Sequence, residues 1–157
     1  KRMDIEKHLN VLNKKEQSSI LKLVDKKLTK ISEAGLFYPG LQTYADLHHY
    51  KELIPFIKKL KNYIPGKFTV TKCWGNHTDG GYTNWHLHRS DLSIVYYLKN
   101  KEAIGTIFRI NDKIVSVEGP ENSLIIFKSE LHSVPLRKRG TPKINRYSLA
   151  LEVSLKT

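Results

Sequence analysis

Trp85-His86-Leu87-His88 places two imidazoles two residues apart. Successive side chains of a strand point to opposite faces, so on a strand both rings share one face. Neutral imidazole is the commonest protein metal ligand. A third histidine lies far downstream, in Glu130-Leu131-His132-Ser133-Val134, and a basic residue follows in Asn145-Arg146-Tyr147-Ser148. The order is specific only as a whole, with every part on a strand; any one part alone is weak.

The residues around that stretch read as strands. Upstream, Phe68, Val70, Lys72 and Trp74 alternate with Thr69, Thr71 and Cys73, in a run rich in β-branched and aromatic residues. Residues 75–81, with a Gly-Gly pair, are expected to be a polar loop, and residues 82–89 the strand that carries the two histidines. Residues 91–98 follow as a strand, then 106–110 and 113–118 flanking the hairpin signal Asn111-Asp112. A turn at 119–122 leads into the apolar run Leu124-Ile125-Ile126-Phe127, within a strand over 123–128. Residues 132–136 and 145–155 complete the set, with a basic loop between them at 137–143. Roughly eight short strands with frequent turns suggest a sandwich or barrel, and the lack of strand–helix alternation argues against a doubly wound parallel sheet.

Ahead of the strands the pattern is helical. Ile20, Val24, Leu28 and Ile31 recur at helical spacing, which predicts a helix over 4–33 with Gly35 as its stop. Residues 36–49 read as loop, with a turn at Pro39-Gly40; His48 and His49 are adjacent, share no face, and read as surface residues. Leu53, Ile57, Leu60 and Ile64 mark a second helix over 50–64, its regular part beginning near Pro55. The expectation is one mainly β domain over 1–157. Residues 1–66 would be supporting helices, and 67–157 a jelly roll, the cupin-like double-stranded β-helix.

Composition is compatible with that architecture. A chain of 157 residues, 39% of them hydrophobic, can build one core. Its single cysteine, Cys73, excludes an internal disulfide and a cysteine-based zinc site, and fits a reducing compartment. No apolar run approaches the length of a membrane span, and Lys1-Arg2-Met3-Asp4 has no apolar signal-peptide core, so no membrane partner and a cytoplasmic location are expected. The net charge of +12 suits an acidic peptide, nucleic acid or another polyanion, and serves plain solubility equally well.

Several segments together resemble the 2-oxoglutarate/Fe(II)-dependent oxygenase superfamily, in particular its small members related to prolyl hydroxylases. They are Thr83-Asn84-Trp85-His86-Leu87-His88, Leu92-Ser93-Ile94-Val95-Tyr96-Tyr97-Leu98, Leu124-Ile125-Ile126-Phe127, Leu131-His132-Ser133-Val134 and Arg146-Tyr147-Ser148. Less specifically, Gly40-Leu41-Gln42-Thr43 through Asp46-Leu47 resembles the lead-in of those members. The resemblance implies a jelly roll that holds Fe(II) by a His-x-Asp/Glu pair and a distal histidine. The co-substrate 2-oxoglutarate would chelate the metal through its ketoacid end, with its far carboxylate on an Arg or Lys of the penultimate strand. By motif, His86 takes the first-ligand place, His132 the distal one and Arg146 the carboxylate-binding place. Ser148 lies two residues on and so on the same face, and Tyr97 matches a strand tyrosine that touches the co-substrate carboxylate in prolyl-hydroxylase relatives. The implied activity is hydroxylation of an unidentified peptide, nucleotide or small molecule, using O2 and 2-oxoglutarate, with ascorbate as an auxiliary.

One departure from the motif matters: His88 stands where the acid is expected. Three readings are open. His88 binds the metal in place of the acid; or it lies behind the ligands while water fills the position; or His88 itself starts the motif, with Ser90 at the acid place. The first keeps the best spacing to Asn84 and to Tyr96-Tyr97. Asp91 lies five residues from His86, on the opposite face, and is not counted. His77 reads as a rim residue, and at most one of the adjacent Tyr96 and Tyr97 can face the site. Two other classes compete: a jelly-roll binding module, with or without metal, that uses its basic surface on a polyanion, and a three-histidine dioxygenase that needs no 2-oxoglutarate. Arg146 and Ser148 discriminate, because a guanidinium inside the apolar strand Tyr147-Ser148-Leu149-Ala150-Leu151 needs an anion.

Overall fold

The computed structural model describes residues 5–29, 40–78, 90–128, 131–133 and 144–156. Nine strands lie within them: β1 (Ile5–His8), β2 (Gly40–Gln42), β3 (Phe68–Thr78), β4 (Leu92–Lys99), β5 (Thr106–Ile110), β6 (Lys113–Val117), β7 (Ser123–Phe127), β8 (Leu131–Ser133) and β9 (Arg146–Leu155). Two α-helices accompany them, α1 (Lys14–Lys27) and α2 (Ile54–Leu60). The strands form a six-stranded sheet in the order β1-β7-β4-β9-β3-β2 and a three-stranded sheet in the order β6-β5-β8. Every pairing among these nine strands is antiparallel, in keeping with the mainly β expectation. The expected strand at 82–89, its histidines included, lies outside the described residues, as does 134–136 of the strand expected over 132–136.

The N-terminal third departs from the helix expected over 4–33. Helix α1 begins at a capping box: the Asn13 side-chain oxygen accepts from the Glu16 amide at 2.8 Å, and Glu16 Oε1 accepts from the Asn13 amide at 2.9 Å. Residues 5–8 form β1 instead, with Ile5 opposite Phe127 on β7. Asn10, in the left-handed region at φ 53°, turns the chain between strand and helix. Replacing Asn13 by alanine is expected to cost about 1 kcal/mol in a denaturant unfolding curve. No change would mean that the cap contributes nothing to α1.

Two further segments read as loop are strand. Residues 40–42 pair with β3, and β3 itself runs through Gly75 to Thr78. Pairing with β9 on one side and β2 on the other overrides the low strand propensity of Gly75. A side chain there would meet Val24 of α1, with a Cβ only 2.7 Å from its Cγ1, so glycine lets the helix approach the sheet. The first 66 residues thus add two strands to the sheet as well as helices. The second helix follows its expectation more closely: a 3-10 turn at Lys51–Leu53 leads into α2, with Pro55 in its first turn.

Each face of the large sheet has its own core. On one face, Ile20 and Val24 of α1 and Phe56 and Leu60 of α2 pack on Ile94, Tyr96, Leu124, Leu149 and Leu151. On the other, Tyr97, Ile125 and Phe127 meet Phe108 and Ile110 of the small sheet. Phe108 and Phe127 pack edge-on, 4.9 Å between ring centres. Tyr96 and Tyr97 therefore face opposite cores, as their adjacency dictates, and Tyr97 belongs to the space between the sheets. Among the described residues no helix is long and apolar enough to cross a membrane.

Candidate active site

Arg146 opens β9 opposite Thr78 of β3 and is 3% exposed. Its Nε donates to the Ile104 carbonyl at 3.0 Å, Nη2 to the Gly105 carbonyl at 3.3 Å, and Nη1 reaches Ser148 Oγ at 3.5 Å. The guanidinium lies 5.3 Å from the centre of the Tyr97 ring, in cation–π range. Tyr97 stands directly opposite Ser148 across β4 and β9, which puts both on the face that Arg146 occupies. The Tyr97 hydroxyl is 2.7 Å from Thr106 Oγ1 on the small sheet. Burial pushes the Tyr97 phenol above its ordinary pKa, while the Arg146 charge and the Thr106 hydrogen bond pull the other way. The phenol is therefore neutral near pH 7 and keeps its proton for hydrogen bonding. Arg146, Ser148 and Tyr97, which the sequence singles out separately, come together here.

His132 enters from the small sheet. It is 5% exposed and sits opposite Phe108, so both side chains share a face with Thr106, two residues before Phe108. Its ring stands edge-on to Phe127, 5.0 Å between centres. His132 and Arg146 thus face the same inter-sheet space from opposite walls. His86 and His88 lie outside the described residues, and among the described residues no three His, Cys, Asp or Glu side chains gather as a metal-ligating group.

Asp91, His77, His48 and His49, not counted as ligands on sequence grounds, make other contacts, as does Ser90, which one open reading of His88 puts at the acid place. Asp91 accepts from the Leu155 amide at 2.7 Å, at the opposite end of β9 from Arg146. Ser90 Oγ donates to the Leu92 carbonyl at 3.0 Å. His77 lies on the helix-facing side of β3, with Nε2 2.7 Å from Asn145 Oδ1 and its ring against Tyr147, whose hydroxyl donates to Asp25 of α1 at 2.8 Å. His48 and His49 sit on the 3-10 turn Leu47–His49, with ring centres 4.0 Å apart. Burial, then the neighbouring His49, lowers the His48 pKa.

Other residues at the site carry no motif. Reading 75–81 as loop concealed a polar row across four strands, in which Tyr97, Ser148, Asn76 and Gln42 are successive partners on one face. Only the strand register could have revealed it. Gly119 lies against the Tyr97 ring: a Cβ there would stand 2.5 Å from Cε1. Gly119→Ala must displace the ring or the turn, and a loss of about 1–3 kcal/mol in thermal unfolding is expected. Wild-type stability would show that the turn yields without strain.

With two antiparallel sheets enclosing such a site, the chain has the fold of the 2-oxoglutarate/Fe(II) oxygenases, which its structural neighbours share. It is similar to the viral collagen prolyl hydroxylase of Paramecium bursaria Chlorella virus-1 in its 2-oxoglutarate complex, with TM-score 0.67, 15% identity, and coverage of 97% of this chain and 96% of that one. HygX from Streptomyces hygroscopicus, with nickel, 2-oxoglutarate and hygromycin B bound, gives TM-score 0.71 at 10% identity, covering 98% and 84%. An oxidoreductase of the 2-oxoglutarate/Fe(II) oxygenase family from Burkholderia pseudomallei gives 0.65 at 11%, covering 96% and 84%. No family model and no curated protein matches the sequence.

Proposed function

We propose that this chain is an Fe(II)- and 2-oxoglutarate-dependent dioxygenase, a hydroxylase built on a jelly-roll core. The observation that carries the reading is the buried Arg146 guanidinium, grouped with Ser148 and Tyr97 and facing the same space as His132. The described residues suit the carboxylate end of 2-oxoglutarate, and of the three expected metal ligands His132 is the one that lies among them. A guanidinium offers a planar fork that matches a carboxylate bidentately, and the hydroxyls of Ser148, Tyr97 and Thr106 lie in the same cluster. A buried histidine on the facing wall offers a nitrogen to a metal.

In this reading His86, His132 and His88 hold the iron, and Arg146 holds the far carboxylate of 2-oxoglutarate. Iron and 2-oxoglutarate, when bound, supply with O2 the oxidising power for hydroxylation, releasing succinate and CO2. The chain supplies position and an apolar surround. Phe108, Phe127 and Ile125 line the inter-sheet space with apolar surface and fix the His132 ring by packing. Tyr97 and the Ile104 and Gly105 carbonyls fix the guanidinium plane.

The activity test is succinate release from 2-oxoglutarate by the iron-loaded protein in air. Release that depends on iron is expected; none, with or without candidate substrates, would count against the enzyme. A second test concerns His88. His88→Asp restores the commoner carboxylate and should still bind iron, while His88→Ala should weaken iron binding more than Asp91→Ala does. The reverse ranking would move the ligand to Asp91.

A further inference from the structure

We propose that Asn100 is a positioning residue for the carboxylate end of this site. Its side-chain amide clamps together the two loops that hold the Arg146 guanidinium and back the Tyr97 ring, and so tunes affinity for the far carboxylate of 2-oxoglutarate. The inference rests on the reading of Arg146 given above.

Asn100 directly follows β4 and is 2% exposed. Its Nδ2 donates to the Ile104 carbonyl at 2.7 Å and to the Gly119 carbonyl at 2.6 Å. The Ile104 oxygen is the same one that accepts from Arg146 Nε, so its two lone pairs serve Asn100 and Arg146 together. The next carbonyl, of Gly105, accepts from Nη2. Gly119, the second anchor, is the residue against which the Tyr97 ring rests. One amide therefore holds both the carbonyl that aims the guanidinium and the backbone behind the ring that it stacks on.

The surrounding backbone closes the same clamp. The Gly119 amide donates to the Ala103 carbonyl at 3.1 Å, and the Asn100 amide donates to Glu121 Oε1 at 2.8 Å. Ala103 is in the left-handed region at φ 54°, a conformation that alanine adopts at a cost and that its surroundings must hold. A second observation concerns the other half of the amide. Among the described residues, Asn100 Oδ1 is buried and has no hydrogen-bond partner. An orphaned buried acceptor carries a penalty, so the contribution of this side chain lies in its two donors. Without them the Ile104 carbonyl loses one of its two partners, and the loop carrying it is tied to the Gly119 turn by the Gly119 amide to Ala103 carbonyl bond and no longer by the side chain. A fork that must meet a carboxylate within about half an ångström is sensitive to such a shift.

The test compares two ligands of equal chain length on iron-loaded protein kept free of oxygen: 2-oxoglutarate, and 2-oxopentanoate, which lacks the far carboxylate. Asn100→Ala is expected to lower 2-oxoglutarate affinity by about tenfold to a hundredfold. It should leave 2-oxopentanoate and Fe(II) affinities unchanged. Asn100→Ser, which removes less polarity from the buried position, carries the same comparison if Asn100→Ala does not fold. A general structural role would weaken both ligands alike, so equal losses, or none, would overturn the inference while wild-type binding of 2-oxoglutarate upholds the reading beneath it. Wild-type protein that fails to bind 2-oxoglutarate at all overturns both.

Discussion

Arg146→Ala is expected to weaken 2-oxoglutarate binding by about thirtyfold to several thousandfold and to leave Fe(II) affinity nearly unchanged. The range follows from the roughly 2–5 kcal/mol lost when one partner of a buried charge pair is removed, at tenfold per 1.4 kcal/mol. Arg146 is at the upper end of burial for a charged residue, and its Nε, Nη1 and Nη2 are oriented by Ile104, Ser148 and Gly105. The guanidinium plane is thus set before a carboxylate arrives, which lowers the ordering cost of binding. Arg146→Lys should lose less than Arg146→Ala, because it keeps the charge without the fork. Titrating 2-oxoglutarate into each iron-loaded variant checks the ranking. Unchanged affinity in Arg146→Ala would remove the strongest reason for a 2-oxoglutarate enzyme and favour a metal-bearing binding module.

His132→Ala is expected to abolish tight Fe(II) binding, and His86→Ala likewise. Residues that merely support a ligand cost about 10–100-fold in metal affinity when mutated, so loss of a ligand should exceed that range. The His132 ring is also packed edge-on against Phe127, so some stability is lost with it. A thermal melt of the metal-free protein separates the two effects: folded His132→Ala that no longer binds iron supports the assignment. Iron bound as tightly as by wild type would contradict it.

The central strands were legible from alternation in one case and from continuous apolar runs in the others. The alternation of residues 68–74, the run from Ile94 to Leu98 and the apolar stretch Leu124-Ile125-Ile126-Phe127 each identified a strand. Ile5-Glu6-Lys7-His8 is too short to show a period and is rich in helix-compatible charges; it is a strand because β7 offers an edge. The same holds for Gly40–Gln42 against β3. Two-residue spacing was enough to put Arg146 and Ser148 on one face, whereas Tyr97 was singled out only by the family resemblance, and its place opposite Ser148 comes from strand register. Asn100, Gly105 and Gly119 were not legible, because a side-chain amide bonded to backbone carbonyls, a backbone carbonyl facing Arg146 and a close approach of a turn to Tyr97 leave no pattern in the sequence. His86 and His88 lie outside the described residues and rest on their spacing and on the motif resemblance.

The most direct test of the central claim is a visible absorption titration of 2-oxoglutarate into the Fe(II)-loaded wild-type protein without oxygen. The expected result is a weak charge-transfer band that grows to saturation with 2-oxoglutarate, and that Arg146→Ala reaches only at much higher concentration. No band at any concentration, in protein shown to hold iron, would contradict chelation of 2-oxoglutarate at the metal.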